Sequence, residues 1–358
     1  MKNLMIVTRS MRAGGAERVI AQLVKYLDQM KIQCFIVTVD DAEVFYDLPP
    51  GIKIYPIGKK SPKLYKDKIL KYKAVRRLAL CLRPDLVLAL PEDIGVYVIP
   101  ALLFTRIPVV VSERNNPWMM PWKKETRFLR RLFYPLGAGF IFQTERAAGF
   151  FPVRIRKKGI VLPNPLDLER IPPPWADQRL KEIVSSGRLE EQKNFPLIIR
   201  AFAKFYPQHP DYVLKIYGEG NLREELKILA VSCLPQGAYS FPGSTRELLE
   251  KIRGAAMFVL SSDYEGMPNV LIEAMSMGMP VIATDCPSGG PASLIDNGQN
   301  GLLVPVNDEE ALVEAMLRLA ESKELAAMLG TNALLIKKRL DAVVVVEQWR
   351  KYLDGVIG

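Results

Sequence analysis

Two glutamates, Glu265 and Glu273, stand in the stretch SSDYEGMPNVLIEAMSMGMPVIATD (261–285). The apolar run MFVLSS reads as a strand, and the turn after it carries Glu265 and Gly266. Pro268 falls where a helix begins, a position at which its missing N–H costs nothing. A strand–turn–helix junction aims backbone N–H groups and the positive end of a helix dipole at one spot, which suits a phosphate. Two acceptor-only carboxylates beside that spot suit the hydroxyls of a sugar or a ribose. Taken singly, each glutamate is equally well a capping acid or a solvated helix residue. The neighbouring stretches favour the chemical reading.

In SSGRLEEQKNFPLIIRAF (185–202) a second strand reaches a glycine, and Arg188 and Lys193 flank the loop before the next helix. An arginine fork and a lysine point charge at such a junction would neutralise a diphosphate. The competing reading is surface ion pairing with Glu190 and Glu191. In TRSMRAGGAERVI (8–20) the first strand gives way to Gly14 and Gly15, which open a helix. This matches neither GxGxxG nor a P-loop. It reads as a tight turn that lets a ligand approach the backbone.

Apolar strand candidates alternate with amphipathic helices throughout. In the first half they are 4–8, 33–39, 52–57, 85–90, 108–113, 139–144 and 159–163; in the second, 182–187, 212–218, 239–243, 257–262, 280–285 and 301–306. This rhythm implies an α/β fold of parallel sheets covered on both faces. The Pro-rich stretch 163–179 reads as a linker. The expectation is two Rossmann-like domains, 1–165 and 166–340, facing across a cleft, with ligands beyond the carboxyl ends of the strands. A last helix, 341–358, would pack back on one domain, here assigned to the first.

Composition narrows the chemistry. The single histidine, His209, lies in a turn-like YPQHPDY context and leaves no room for a His-based metal site or triad. Four dispersed cysteines form no CxxC pair, which fits a reducing cytosol. Neither a signal peptide nor a clean membrane span is apparent. The net charge is +10. Residues 1–165 hold 29 Lys and Arg against 13 Asp and Glu, whereas the remainder is net acidic. The first half therefore meets something anionic.

The combination of GRLEEQKN, YGEGNLREEL, EGMPNVLIEAMSMGMPVIATD, GGP and NGQNGLLVPVND resembles the retaining GT-B glycosyltransferases of family four (glycosyl transferases group 1). The paired glutamates match that family's motif, and the resemblance runs from the GGAER loop to about residue 320. GGAER, SERNNP and RFLRRLFYP resemble the subgroup that extends polyprenyl-diphosphate-linked glycans. The resemblance implies a UDP-sugar donor carrying a hexose or N-acetylhexosamine. Arg188 and Lys193 would bind its diphosphate, and Glu273 its ribose. Glu265 would contact the transferred sugar, and Gly266, Met267 and Pro268 would belong to the donor site. Amides around Asn269, Val270 and Leu271 would hold the distal phosphate, Gly15 would approach the sugar diphosphate, and Gly14 would belong to the acceptor or sugar pocket. The Phe241–Pro242–Gly243 segment would cover the base. Catalysis would rest on Glu265, Arg188 and Lys193. Metal and cofactor are expected to be absent; no Asp-x-Asp pair occurs in the sequence. No protein nucleophile stands out, so retention would come from front-face attack. Two departures stand out. Arg114 occupies a place where related sequences can have histidine, so Glu113, Arg114 and Asn115 would rebuild the sugar pocket. Ser293 follows GGPA where an acidic residue is expected.

The run KKSPKLYKDKILKYKAVRR (59–77) has nine Lys and Arg and one acid, Asp67. At 100° per residue, Tyr65, Ile69, Tyr72, Val75, Ala79 and Leu82 share an apolar face, with Lys63, Lys66, Lys73 and Arg77 beside it. PWMMPWKKETRFLRRLFYP (117–135) similarly joins Trp118, Trp122, Met119 and Met120 to Lys123, Lys124, Arg127, Arg130 and Arg131. Aromatics beside cations suit a lipid interface. The expected partners are an anionic membrane surface, at the inner face of the cytoplasmic membrane, and a lipid-diphosphate acceptor. Nucleic acid is not expected, since no recognised binding motif accompanies the cations. The alternatives are a GT-B UDP-sugar epimerase, separated by acceptor-dependent UDP release, and a basic nucleic-acid-binding protein, separated by a salt-dependent gel shift.

Overall fold

Every apolar run named above becomes a parallel strand in the computed structural model, which describes residues Met1–Gly358. Continuous Val, Ile and Leu suit strands buried on both faces. The chain forms two units, Met1–Pro165 with Leu340–Gly358, and Leu166–Arg339.

The first unit contains β1 (Asn3–Thr8), α1 (Gly15–Gln29), β2 (Gln33–Thr38), β3 (Lys53–Pro56), α2 (Leu64–Leu82), β4 (Leu86–Ala89) and α3 (Glu92–Ala101). It continues through β5 (Val109–Ser112), α4 (Lys124–Phe133), β6 (Gly139–Phe142), α5 (Glu145–Gly149), α6 (Val153–Arg156) and β7 (Gly159–Val161). The sheet order is β3-β2-β1-β4-β5-β6-β7, in parallel register throughout, with Asn3 opposite Gln33 and Leu4 opposite Leu86. The chain reverses its direction of winding between β1 and β4, and such a switch point is where open parallel sheets bind ligands.

The second unit contains β8 (Leu180–Ser186), α7 (Phe195–Phe205), β9 (Val213–Tyr217), α8 (Arg223–Cys233), β10 (Tyr239–Gly243), α9 (Leu248–Ile252) and β11 (Ala255–Leu260). Then follow α10 (Asn269–Ser276), β12 (Val281–Thr284), β13 (Leu302–Val304), α11 (Glu309–Glu321), α12 (Lys323–Ala333) and α13 (Ile336–Leu340). Its sheet runs β10-β9-β8-β11-β12-β13, so the switch point lies between β8 and β11. Phe195, Phe202 and Phe205 of α7 are fully covered in its core.

The terminal helix α14 (Ala342–Ile357) belongs to the first unit and packs against α1. Trp349 is fully buried there, among Val19, Leu23 and Ile141. Tyr352 reaches the sheet, where its hydroxyl accepts from Phe140 N at 2.8 Å and donates to the Lys158 carbonyl.

Helix α2 departs from the expected apolar face. Tyr72, Val75, Ala79 and Leu82 pack inward, but Tyr65 is 80% exposed and Ile69 40%. The opening turns of the helix leave these two side chains in solvent. Asp67 is buried there instead, its carboxylate accepting from the amides of Lys60 and Ser61 and pairing with Lys71 at 3.2 Å. Those amides and the Lys71 charge, opposed by burial, hold its carboxyl below the usual range.

Candidate active site

In the second unit, Arg188 and Lys193 leave the end of β8, and Glu265 leaves the end of adjacent β11. They flank the switch point. Lys193 Nζ pairs with Glu265 Oε1, and Ser262 Oγ donates to the same oxygen at 2.7 Å. Glu265 is buried and Lys193 nearly so. A lysine ammonium has three donors, so this contact leaves others for a ligand.

The loops are knitted together by residues the sequence reading did not single out. Gln192 Nε2 donates to the Tyr264 carbonyl at 2.9 Å, and Asp263 N donates back to Gln192 at 3.0 Å. Ser261 Oγ donates to the Lys193 carbonyl at 2.9 Å. Asn194, at φ 44°, caps α7 by accepting from Leu197 N and donates to Asp263 at 2.7 Å. Burial raises the Asp263 pKa, against the pull of Asn194. The signal available in sequence was an asparagine just before Phe195-Pro196, a capping residue ahead of an N-terminal proline.

Arg188 is exposed and holds Glu190 at 3.2 Å, which is the surface ion pair weighed above. Its loop is fixed from the β9 side. Leu189 N donates to Glu219 O at 2.9 Å and Leu222 N to Leu189 O at 3.0 Å. At Gly218, φ is 138° and a Cβ would sit 1.9 Å from the Gly187 carbonyl, so only glycine fits. Pro242 is exposed at the end of β10, whereas Gly243 is buried and its carbonyl accepts from Gly218 N at 3.0 Å.

Gly266, Met267 and Pro268 are buried and lead into α10, with Pro268 as its N-cap. Asn269 and Val270 open the helix; the amide of Leu271 is already engaged by the Pro268 carbonyl at 3.2 Å. Glu273, on the second turn, is 7% exposed, so it is no solvated helix residue. The loop after β12 backs this segment. Ser288 Oγ donates to the Glu265 carbonyl, and a Cβ at Gly290 would lie 1.5 Å from the Gly266 carbonyl. Ser293 Oγ turns back on Gly290 O at 2.7 Å.

In the first unit, Gly14 is gripped by Tyr46, whose hydroxyl accepts from Gly14 N at 3.0 Å and donates to Gly14 O at 2.7 Å. Gly15 is exposed at the start of α1. Glu113 and Arg114, expected in a sugar pocket, are buried with protein partners. Tyr134 Oη donates to Glu113 at 2.5 Å, and Arg130 lies 3.9 Å away. The Arg114 guanidinium donates to Asn164 Oδ1 and lies 5.9 Å from the Trp349 ring, while its backbone amide donates to Glu92 at 3.2 Å. Burial lowers the Arg114 pKa against the pull of Glu92. Burial first, then the charges of Glu113 and Asp93, pushes Glu92 up to about 8. Asn115 is the partly accessible one of the three, its Oδ1 accepting from Asn116 N at 2.8 Å.

Lys63, Lys66, Lys73 and Arg77 are exposed on α2, and Trp118, Trp122, Lys123 and Lys124 on the approach to α4. Arg127 differs from the expectation: its guanidinium donates to the carbonyls of Pro121 and Met119, so it braces the loop. Arg130 likewise holds Met120 O and Pro117 O at 2.8 and 2.9 Å. No helix is long and apolar enough to cross a membrane.

Two family models divide the chain between them. "Glycosyltransferase Family 4" matches residues 13–170, and "Glycosyl transferases group 1" matches 170–335. A Campylobacter jejuni protein is 29% identical over 99% of this chain and 100% of its own length. It is the N-acetylgalactosamine-N,N'-diacetylbacillosaminyl-diphospho-undecaprenol 4-alpha-N-acetylgalactosaminyltransferase. An exopolysaccharide phosphotransferase of Streptomyces coelicolor is 37% identical over 49% of this chain, but the match spans only 19% of that protein. Anabaena HepE, solved with UDP and glucose, shares the fold with a TM-score of 0.83 at 18% identity, covering 99% of both chains.

Proposed function

Because the chain belongs to the group 1, family 4 glycosyltransferases of GT-B fold, we propose that it moves a hexose or N-acetylhexosamine from a UDP-sugar to a polyprenyl-diphosphate-linked glycan. The observation that carries this reading is the Lys193–Glu265 pair, set beside the switch point of the second sheet and next to the opening of α10. The undecaprenol-linked substrate in the name of the Campylobacter relative supports the acceptor class, and the UDP bound to HepE supports the donor.

Charge develops on the departing diphosphate. Lys193, Arg188 and the first turn of α10, at Asn269 and Val270, stabilise it, the kind of electrostatic term that dominates many enzymes. Lys193 keeps Glu265 with one donor and gives another to phosphate. Glu265, fixed by Ser262 and Lys193, accepts from a hydroxyl of the transferred sugar. Glu273 accepts from the ribose, and Pro242 and Gly243 flank the base. In the first unit, Gly14 and Gly15 present backbone to a ligand at the start of α1. In the same unit Asn115 contacts the acceptor sugar, and Glu113 and Arg114 are held by Tyr134 and Asn164. The stereochemistry is retained by front-face attack, and the basic groups take the place of a metal ion. The enzyme works at an anionic membrane surface, the cytoplasmic inner face, held there by Lys63, Lys66, Lys73, Arg77, Lys123 and Lys124.

Thermal shift tests the donor site. UDP compounds, but not GDP, ADP or CMP, stabilise the wild type, and Glu273→Ala removes most of that shift. A ligand at about 100 times its Kd adds roughly 2.7 kcal/mol to the folded state. Equal shifts for wild type and variant would refute the placement.

A further inference from the structure

The turn joining α3 to β5 holds Phe104 98% exposed at φ 64°, and Arg106 two residues on has φ 60°. Left-handed backbone is unfavourable for residues with a Cβ, so two such residues in one turn mark a conformation imposed by its surroundings. The turn is indeed clamped. Arg76 of α2 donates to the carbonyls of Ala101 and Leu103, both at 2.8 Å. Thr105 Oγ1 donates to Leu102 O at 2.7 Å and accepts from Ile107 N at 3.3 Å. A large aromatic is thus presented rigidly to solvent.

Its neighbours extend the surface. Phe104 and Leu136 line a shared hollow of about 290 Å³ together with Ile99, Leu102 and Arg106. From Leu136, 55% exposed, the apolar stripe continues along α4 through Leu132 and Phe128, 54% and 67% exposed. Helix α3 packs against both α2 and α4, so the three form one layer. Helix α2 adds exposed Leu64, Tyr65 and Leu80 to the layer. The exposed charges among them include Lys63, Lys66, Lys73, Arg77, Arg106, Lys124 and Arg131, against Glu125.

We propose that the Phe104 turn is a preformed anchor that inserts into the hydrocarbon edge of an anionic bilayer, laying the α2–α3–α4 layer flat on the membrane. Charge complementarity selects this occupant. The apolar side chains stand among a strong excess of cations, which matches anionic headgroups over acyl chains, whereas a second copy would set cations against cations. Rigidity lowers the ordering cost of insertion. The inference rests on the reading that this unit meets a membrane, and it assigns the insertion to residues outside the basic run.

Co-sedimentation with vesicles tests it, using phosphatidylcholine with and without about one-third phosphatidylglycerol. The wild type binds the anionic vesicles. Phe104→Ser lowers the partition coefficient roughly tenfold or more, as expected when one aromatic no longer reaches hydrocarbon. The double variant Leu132→Ser/Leu136→Ser does likewise, and the UDP-induced thermal shift is unchanged in both. Wild-type partition by Phe104→Ser, with loss in Lys66→Gln/Lys73→Gln/Arg77→Gln, would overturn the anchor and leave the membrane reading standing. No wild-type binding to either vesicle would overturn both. A wild-type dimer in sedimentation equilibrium that Phe104→Ser dissociates would overturn the anchor in favour of a second copy.

Discussion

Lys193 and Glu265 are 72 residues apart in sequence, and their ion pair ties the loop leaving β8 to the loop leaving β11. The pair closes the one place in the second sheet where neighbouring strands wind away in opposite directions. Removing either partner leaves the other charge nearly buried and aimed at the site.

Glu265→Gln keeps the shape and loses the charge. It should lower kcat by about 10²–10³-fold, the usual effect of deleting one preorganised polar group, with a smaller effect on donor affinity. Lys193→Met should weaken donor binding as well, because it removes a phosphate cation. Steady-state kinetics on both variants separates the two roles. Wild-type kcat in Glu265→Gln would remove it from the chemistry.

Gly290→Ala should displace Gly266, since the added Cβ would sit 1.5 Å from its carbonyl. Donor KM should rise and the nucleotide-induced thermal shift shrink. Ser288→Ala loses one hydrogen bond to Glu265 O, about 1 kcal/mol, and should do so more mildly. Unchanged donor binding in both would mean that the β12 loop does not position the start of α10.

Burial holds Glu92 protonated up to about pH 8, so the folded state binds more protons than the unfolded one across the range between the ordinary carboxylate value and 8. Stability from this group is complete below that range and is lost as pH rises through 8. The wild-type Tm should therefore fall between pH 6 and 9, and Glu92→Gln should fall less. Parallel curves would assign the pH dependence elsewhere.

Trp349→Ala should cost about 3–5 kcal/mol, because the side chain is wholly buried in the core of the first unit. Removing α14 altogether should prevent that unit from folding. Urea unfolding followed by circular dichroism measures the first effect, and a loss under 1 kcal/mol would contradict the packing described.

The strands were legible because parallel strands buried on both faces are continuous apolar runs, and so were the loops that carry Arg188, Lys193 and Glu265. The register of exposure was not. Tyr65 and Ile69 fit the helical period of Val75, but periodicity does not say how far the sheet extends beneath a helix. Arg114 looked like a ligand because its partner, Asn164, lies 50 residues away in sequence. Phe104 lies between an apolar helix and an apolar strand, and residue type does not show that the turn held by Arg76 leaves it exposed. Asn194 and Ser288 bind through backbone or across long separations, and Ser262 reaches the Glu265 side chain only three residues on; residue type alone gives little signal for any of them.

The central claim is transfer from a UDP-sugar to a lipid-linked acceptor. The direct measurement offers UDP-hexoses and UDP-N-acetylhexosamines with an undecaprenyl-diphosphate-linked glycan, and follows released UDP together with the mass of the lipid product. The account predicts UDP release that depends on the acceptor, a lipid heavier by one sugar, and loss of both in Glu265→Gln. Conversion of one UDP-sugar to another without acceptor, or no product with any donor, would contradict it.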